Sequence, residues 1–373
     1  MSQSYGAENK KQLRCYFVNG VYFVVVLALV ITTITSFLSR NFLIWLHTPS
    51  DIIEGAYTYL LILFLGIPFT ILYNFCFGVL MAFGDSKKSS IFMAISTLLN
   101  FILDILMIMK WKLGIAGVGI STVISNGIAG LLSLFYILKK YKILYSKAGE
   151  WKPQLKYIKN IIKMCVPMGL QYSITAIGAV ILQYGVNALG STAVAAFSSG
   201  SKVKGFLLCP LNALGTTLSS FTGQNFGAGS IKRIKEGVRK SLGLGIFYSF
   251  VVIIFIFFTS EHIAALFVSR DNVLVIKYVK EFMMYSSVFQ IELALLYAIR
   301  YTIQGMGYGQ YAICSAFAEM VGRSFMAVFV VPRFGFDAVC WSEGITFFAG
   351  IVVILPIYLV LINRVGKKEN VDL

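Results

Sequence analysis

Ser2-Gln3-Ser4-Tyr5-Gly6-Ala7 opens the chain and is followed by Lys10, Lys11, Leu13 and Arg14. Gly223-Gln224-Asn225-Phe226-Gly227-Ala228 stands 221 residues later and is followed by Lys232, Arg233, Ile234 and Lys235. From Gln3 to the Phe83-Gly84-Asp85 turn is 81 residues, and from Gln224 to the comparable Met306-Gly307-Tyr308 turn is 83. Two similar halves therefore follow one another. Four apolar segments follow each Gln-x-aromatic-Gly-Ala loop, so both halves have the same orientation, the pattern of a parallel internal repeat. Two further apolar segments precede the second loop, whereas only Met1 precedes the first motif.

The composition names the solvent. Hydrophobic residues make up 58% of the 373 positions and charged residues 13%, well below the roughly 25% charge of a soluble domain. A mean hydropathy of +0.79 leaves more apolar surface than one or two soluble cores can hide, so the chain belongs in a lipid bilayer. The net charge of +16 would suggest nucleic acid in a soluble chain, but in a membrane protein it is what basic cytoplasmic loops produce, and no nucleic-acid partner is expected. Cys15, Cys76, Cys165, Cys209, Cys314 and Cys340 show no CxxC spacing and read as small hydrophobes. His47 and His262 sit in polar connections without partners for a zinc centre, and no GxxxxGK[ST] phosphate loop is present. No cofactor, and no nucleophile and base pair for an enzyme, is expected.

A spanning helix needs about 20 mostly apolar residues. Ten segments satisfy this, predicting an all-α membrane protein: 15–39, 55–84, 89–109, 113–138, 164–188, 192–222, 241–260, 282–305, 308–331 and 338–362. The sixth is interrupted by Lys202 and Lys204, and the count depends on it. Alternating the segments across a membrane sorts 21 loop Lys and Arg to one side and seven, including Arg40, Lys110, Arg270 and Arg333, to the other. Both termini are therefore expected on the cytoplasmic side of a cell membrane. The organisation that follows is an N-terminal lobe, 1–140, with four spans; a basic cytoplasmic linker, 141–163; and a C-terminal lobe, 164–373, with six. The 4+6 pattern reads as a 6+6 plan whose first two helices are missing here.

Ionisable groups inside spans are costly, about 2.5 to 3.5 kcal/mol at a helix centre, and so are informative. Asn100 and Asp104 lie four apart on one helical face. The short Lys110-Trp111-Lys112 connection makes the next helix, bearing Thr122, an antiparallel neighbour. Asp104 lies ~8 Å from its helix end and Thr122 ~13 Å into the next, so carboxylate, amide and hydroxyl can meet. Those oxygens suit a proton or Na+ ion, and equally suit a hydrogen-bonded tie between two helices. Glu319 and Arg323 have the favourable order for an intrahelical ion pair and read mainly as structural. Glu292 lacks a sequence-local partner, stands two after Gln290 and is two turns from Arg300. Glu343 is expected at the outer interface. Lys202 and Lys204 are expected to face a wet cavity or a carboxylate. Pro68, Pro167, Pro210 and Pro356 fall inside spans, where each permits a bend.

The two loops, Gly84-Asp85-Ser86, Asn100-Phe101-Ile102-Leu103-Asp104 and Leu113-Gly114-Ile115-Ala116-Gly117-Val118-Gly119-Ile120-Ser121-Thr122 together resemble the multidrug and toxic compound extrusion (MATE) family across essentially the whole chain. The resemblance implies a two-lobe helical bundle that exports cationic or amphipathic drugs in exchange for Na+ or H+ by rocking about a central cavity. In the DinF-like branch the N-lobe cation site has Asn, Asp and Thr that fit Asn100, Asp104 and Thr122, together with a first-helix Asp absent here. The NorM-like branch places acids on helices that correspond to the segments bearing Gln171 and Thr175, where no acid stands, and Glu292. A possible C-lobe cavity is thus assigned to Glu292, Gln171, Gln290, Lys202 and Lys204. Tyr308 stands where the family's second turn has Asp. The rival readings are a flippase for lipid-linked saccharides with a more basic cavity, and a transport-inactive fragment.

Overall fold

The computed structural model describes residues 1–45, 48–267 and 272–369. His47 and Arg270 lie outside them, as do the side chains of Lys367 and Lys368. Two compact units divide the chain, Met1–Ile161 and Ile162–Leu373. In the first, α1 (Lys10–Trp45) is followed by α2 (Ile53–Leu65), α3 (Ile67–Ala82), α4 (Ser86–Ile105) and α5 (Gly114–Lys140). Next come α6 (Leu155–Asn187), which begins in the first unit, and α7 (Ser191–Gly227). The second unit continues with α8 (Ile231–Phe267), α9 (Val273–Val288), α10 (Gln290–Gly305), α11 (Ala312–Phe325) and α12 (Phe336–Glu369).

The repeat seen in the sequence is also a repeat of backbone devices. The pair α2 and α3 bends by 46°, and the pair α9 and α10 by 43°. α4 ends in a π-helical turn at Leu106–Lys110, and α11 in another at Met326–Val330. Left-handed glycines stand at matching turns, Gly84 (φ 76°) with Gly307 (φ 90°) and Gly114 (φ 56°) with Gly335 (φ 62°), where a Cβ would strain the backbone. The packing partners match too. α1 lies on α2 and α3, and α5 on α2, α3 and α4; α8 lies on α9 and α10, and α12 on α9, α10 and α11.

Among the described residues, seven helices, counting α4 and α11 with their π turns, are long and apolar enough to cross a membrane, and the two bent pairs raise this to nine. The ten-span expectation differs at α7, whose 37 residues carry Lys202 and Lys204 and which is not among those nine. The eighth segment also starts earlier than expected, at Val273, because polar Lys277, Lys280 and Glu281 belong to the helix rather than to a loop. Pro68 lies in the first turn of α3, where its missing N–H costs nothing, while Pro167, Pro210 and Pro356 are inside helices. His262 is helical rather than in a connection. Cys15, Cys76 and Cys340 are buried, but Cys165, Cys209 and Cys314 are exposed. In each unit large apolar side chains are exposed, Phe37 and Phe135 in the first and Tyr184, Phe206 and Phe258 in the second.

The buried core of the first unit sits at its basic end, around Leu13, Phe17, Cys76, Leu80 and Ile137. Here the linker is strapped to α1. Arg14 donates to both oxygens of Glu150 at 2.6 and 2.7 Å, the Gln154 backbone N–H to Asn19 Oδ1 at 2.7 Å, and the Tyr22 hydroxyl to the Trp151 carbonyl at 2.9 Å. The expected linker, 141–163, is shorter as a connection, because α6 starts at Leu155. Asp85 caps α4 and accepts hydrogen bonds from Tyr136 (3.0 Å), Lys140 (2.6 Å) and Tyr141 (2.9 Å). Burial alone would raise its pKa, but these donors hold it down to about 2. The Arg14 guanidinium likewise holds the Glu150 carboxyl at about 2.

Candidate functional site

The site starts from the turn between α4 and α5. The π turn at Leu106–Lys110 and the left-handed Lys112 (φ 53°) and Gly114 reverse the chain within a few residues. Gly117 then lets α5 approach α4 so closely that an added Cβ would come within 2.9 Å of Met107 Cβ. The faces bearing Asn100 and Asp104 on α4 and Ser121 and Thr122 on α5 are thereby pressed together.

The hydroxyl of Ser121, itself fully buried, donates to Asp104 Oδ1. Asn100 Nδ2 donates to Ser121 Oγ and to Thr122 Oγ1, each at 3.3 Å. Thr122 donates its own proton to the Val118 carbonyl at 3.0 Å, so its oxygen is left to accept. Asp104 has no basic partner among the described residues, and both it and Asn100 are half-buried. The site thus gathers a carboxylate and two hydroxyl oxygens, with the Asn100 amide nitrogen donating to both hydroxyls; a flip of that amide would add its oxygen and complete a donor set for a hard monovalent cation.

Asn100, Asp104 and Thr122 are therefore brought together, with Ser121 as the link that sequence reasoning missed. Ser96 donates to Asn126 Oδ1 at 3.2 Å, and Asn126 to Thr70 Oγ1 at 3.3 Å, extending the polar seam along the helices. The signal was present: Ser96, Asn100 and Asp104 are spaced by four, as are Thr122 and Asn126.

The second unit arranges its charges differently. Glu319 pairs with Arg300 of α10, not with Arg323, because α10 packs beside α11 and brings the guanidinium directly to it. Arg300 also donates to Ser315 at 3.2 Å, so it does not neutralise Glu292. Arg323 instead donates to the Thr175 carbonyl at 3.2 Å. Glu343 is buried and held by Lys204 at 2.6 Å, so Lys204 meets a carboxylate while Lys202 is exposed. Gln171 accepts from Gln304 Nε2 at 2.9 Å. Gln290 is buried at the α9–α10 bend, and its amide, like Glu292 Oε2, has no hydrogen-bond partner among the described residues.

Long apolar helices, repeated bent pairs and exposed apolar side chains define a multi-pass helical membrane protein built on an internal repeat. Residues 1–106 and 167–329 match the MatE family model, and the chain belongs to that family, which comprises transporters rather than enzymes. It is 35% identical over 236 residues to "Probable multidrug resistance protein YpnP" of Bacillus subtilis (strain 168), covering 63% of this chain and 52% of that one. It is 28% identical over 283 residues to "Probable multidrug resistance protein YoeA" of the same organism, covering 74% and 61%. A MATE crystal structure in complex with MaL6 shares the fold with a TM-score of 0.92 at 19% identity, over 98% of this chain and 83% of the other. The chain thus spans 52% and 61% of the length of these two curated relatives.

Proposed function

We propose that the protein is a secondary antiporter that exports cationic or amphipathic drugs in exchange for Na+ or H+, with Asp104, Asn100, Ser121 and Thr122 as the coupling site. The observation that carries this reading is a carboxylate inside the apolar region, held by Ser121 and lacking a basic partner among the described residues. An intramembrane acid without a counter-charge is stabilised either by a proton or by a bound cation. A Na+ ion would be met by Asp104, the Thr122 hydroxyl and, once its amide flips, the Asn100 oxygen; a proton would neutralise Asp104 itself. Ion binding and drug binding then oppose one another by the same factor in both directions. The basic ends of the helices face the cytoplasm in this reading, with both chain termini on that side. Residues 1–140 and 164–373 act as its two lobes.

The flippase reading draws on Lys202 and Lys204. The ion pair of Lys204 with Glu343 takes up one of those two cations and weakens that reading. The test is dye efflux from cells producing the protein, at varied Na+ and pH, with Asp104→Asn alongside. The expected result is loss of ion-dependent efflux with unchanged membrane abundance. Efflux by Asp104→Asn equal to the parent overturns the assignment.

A further inference from the structure

A cavity of about 360 Å³ opens between α7 and α8 at the basic end of the second unit, within the range of ligand pockets. Its apolar wall is Leu214, Leu218, Phe221 and Leu244, and its polar residues include Arg233, Glu236 and Lys240. Arg233 and Lys240 lie seven apart on one face of α8, near its start. Glu236 sits between them and holds Lys240 at 2.8 Å. Phe221 packs its ring on Gly237, where a Cβ would come within 2.4 Å, so the floor of the cavity is set by that glycine.

The internal repeat shows what this face of α8 is for. Displaced by the repeat offset, Glu236, Gly237 and Lys240 correspond to Cys15, Tyr16 and Asn19 of α1. That face of α1 is covered by the end of the linker and the start of α6: the Gln154 backbone N–H on Asn19, and Tyr157 against Tyr16 with ring centroids 4.8 Å apart. On α8 the same face borders a cavity, and Gln12, Cys15 and Asn19 are replaced by Arg233, Glu236 and Lys240. A docking face that has exchanged neutral side chains for two cations and an acid, above an apolar trough, fits an amphiphile with an anionic head bearing hydroxyl donors.

We propose that this cavity binds an anionic phospholipid with a hydroxylated headgroup, its phosphate at Arg233 and Lys240, a headgroup hydroxyl donating to Glu236, and one acyl chain along Leu214, Leu218 and Phe221. Basic residues at the membrane surface each contribute about 1 kcal/mol toward anionic lipid, so two correspond to roughly a thirtyfold preference. The apolar wall requires the acyl chain and excludes free glycerol phosphate as the ligand.

The test is native mass spectrometry of the delipidated protein in detergent, titrated with phosphatidylglycerol, phosphatidylcholine or glycerol 3-phosphate. Phosphatidylglycerol is expected to bind at least tenfold more tightly than phosphatidylcholine, and glycerol 3-phosphate is expected not to compete. Arg233→Gln/Lys240→Gln removes that preference, whereas Lys235→Gln/Arg239→Gln, with equal charge loss on the same helix outside the cavity, retains it. Thr217→Trp fills the cavity without changing charge and lowers binding to the same extent. Equal losses from both charge pairs, or unchanged binding with a well-folded Thr217→Trp protein, overturn the proposal.

Discussion

The two copies of the four-helix unit share their bends, their π turns and their left-handed glycines, yet they treat intramembrane charge in opposite ways. Through the repeat, Ser121 and Thr122 correspond to Ser342 and Glu343, while the π turns align Asp104 with Ser324. Acid and hydroxyl have exchanged helices. In the second copy the acid is buried and already neutralised, because α7 supplies Lys204. In the first copy the acid is half-buried and held by the Ser121 hydroxyl. Burial follows the same division: the most apolar stretch of α1 is 6% buried, against 22% for its counterpart Ile231–Leu266. α7 covers α8, α9 and α10 in the second unit. One scaffold thus carries two ion pairs, Lys204–Glu343 and Arg300–Glu319, beside Glu292, unpaired among the described residues, in one copy, and an acid held by a hydroxyl in the other.

Breaking the ion pairs should have the largest effect. Glu319→Gln leaves Arg300 buried without its counter-charge, and such losses cost about 3–5 kcal/mol. Thermal unfolding in detergent is expected to show a fall of that order, with Arg300→Met/Glu319→Leu recovering most of it. A double as unstable as the single would show that the charges do more than neutralise one another. Lys204→Met should come next, because it leaves the Glu343 carboxylate buried and unpaired. A double-mutant cycle with Glu343→Gln should give a coupling of about 1–3 kcal/mol. Coupling near zero would remove the contrast between the copies.

The Asp104 site should respond the other way. Asp104→Asn keeps an acceptor for Ser121 and should shift stability by less than about 1 kcal/mol, while abolishing any protection by Na+ or low pH against unfolding. A large loss of stability would make Asp104 a structural tie, the bland reading of its spacing. The smallest effect is expected at the basic end. Asp85 and Glu150 both hold protons less tightly when folded than when unfolded, with folded pKa values of about 2. Their stabilisation is therefore present above the ordinary carboxylate range and is lost as pH falls toward 2. Proteolysis of the 141–154 linker should accelerate between pH 4 and 2, and Arg14→Gln should produce the same sensitivity at pH 7.

The repeat, the membrane class and the shared helical face of Asn100 and Asp104 were legible because each depends on spacing along the chain. Ser121 was not singled out although it adjoins Thr122, because spacing alone does not say which of two neighbouring hydroxyls turns toward the carboxylate. Glu319 was read with Arg323 because helical periodicity sees only its own helix. Arg300, nineteen positions away, wins that contact through the packing of α10 beside α11. The partner of Glu343 was hidden for the same reason: Lys204 lies on a helix far away in sequence.

What the sequence by itself determined is the solvent, the repeat and the family, since apolar length, offset and basic-loop asymmetry are properties of the linear chain. Which acid is neutralised and which is left open was decided only by the tertiary structure. A side chain's counter-charge is whatever the packing of distant helices brings within about 3 Å, and in a low-dielectric interior that choice separates a structural pair from a binding site.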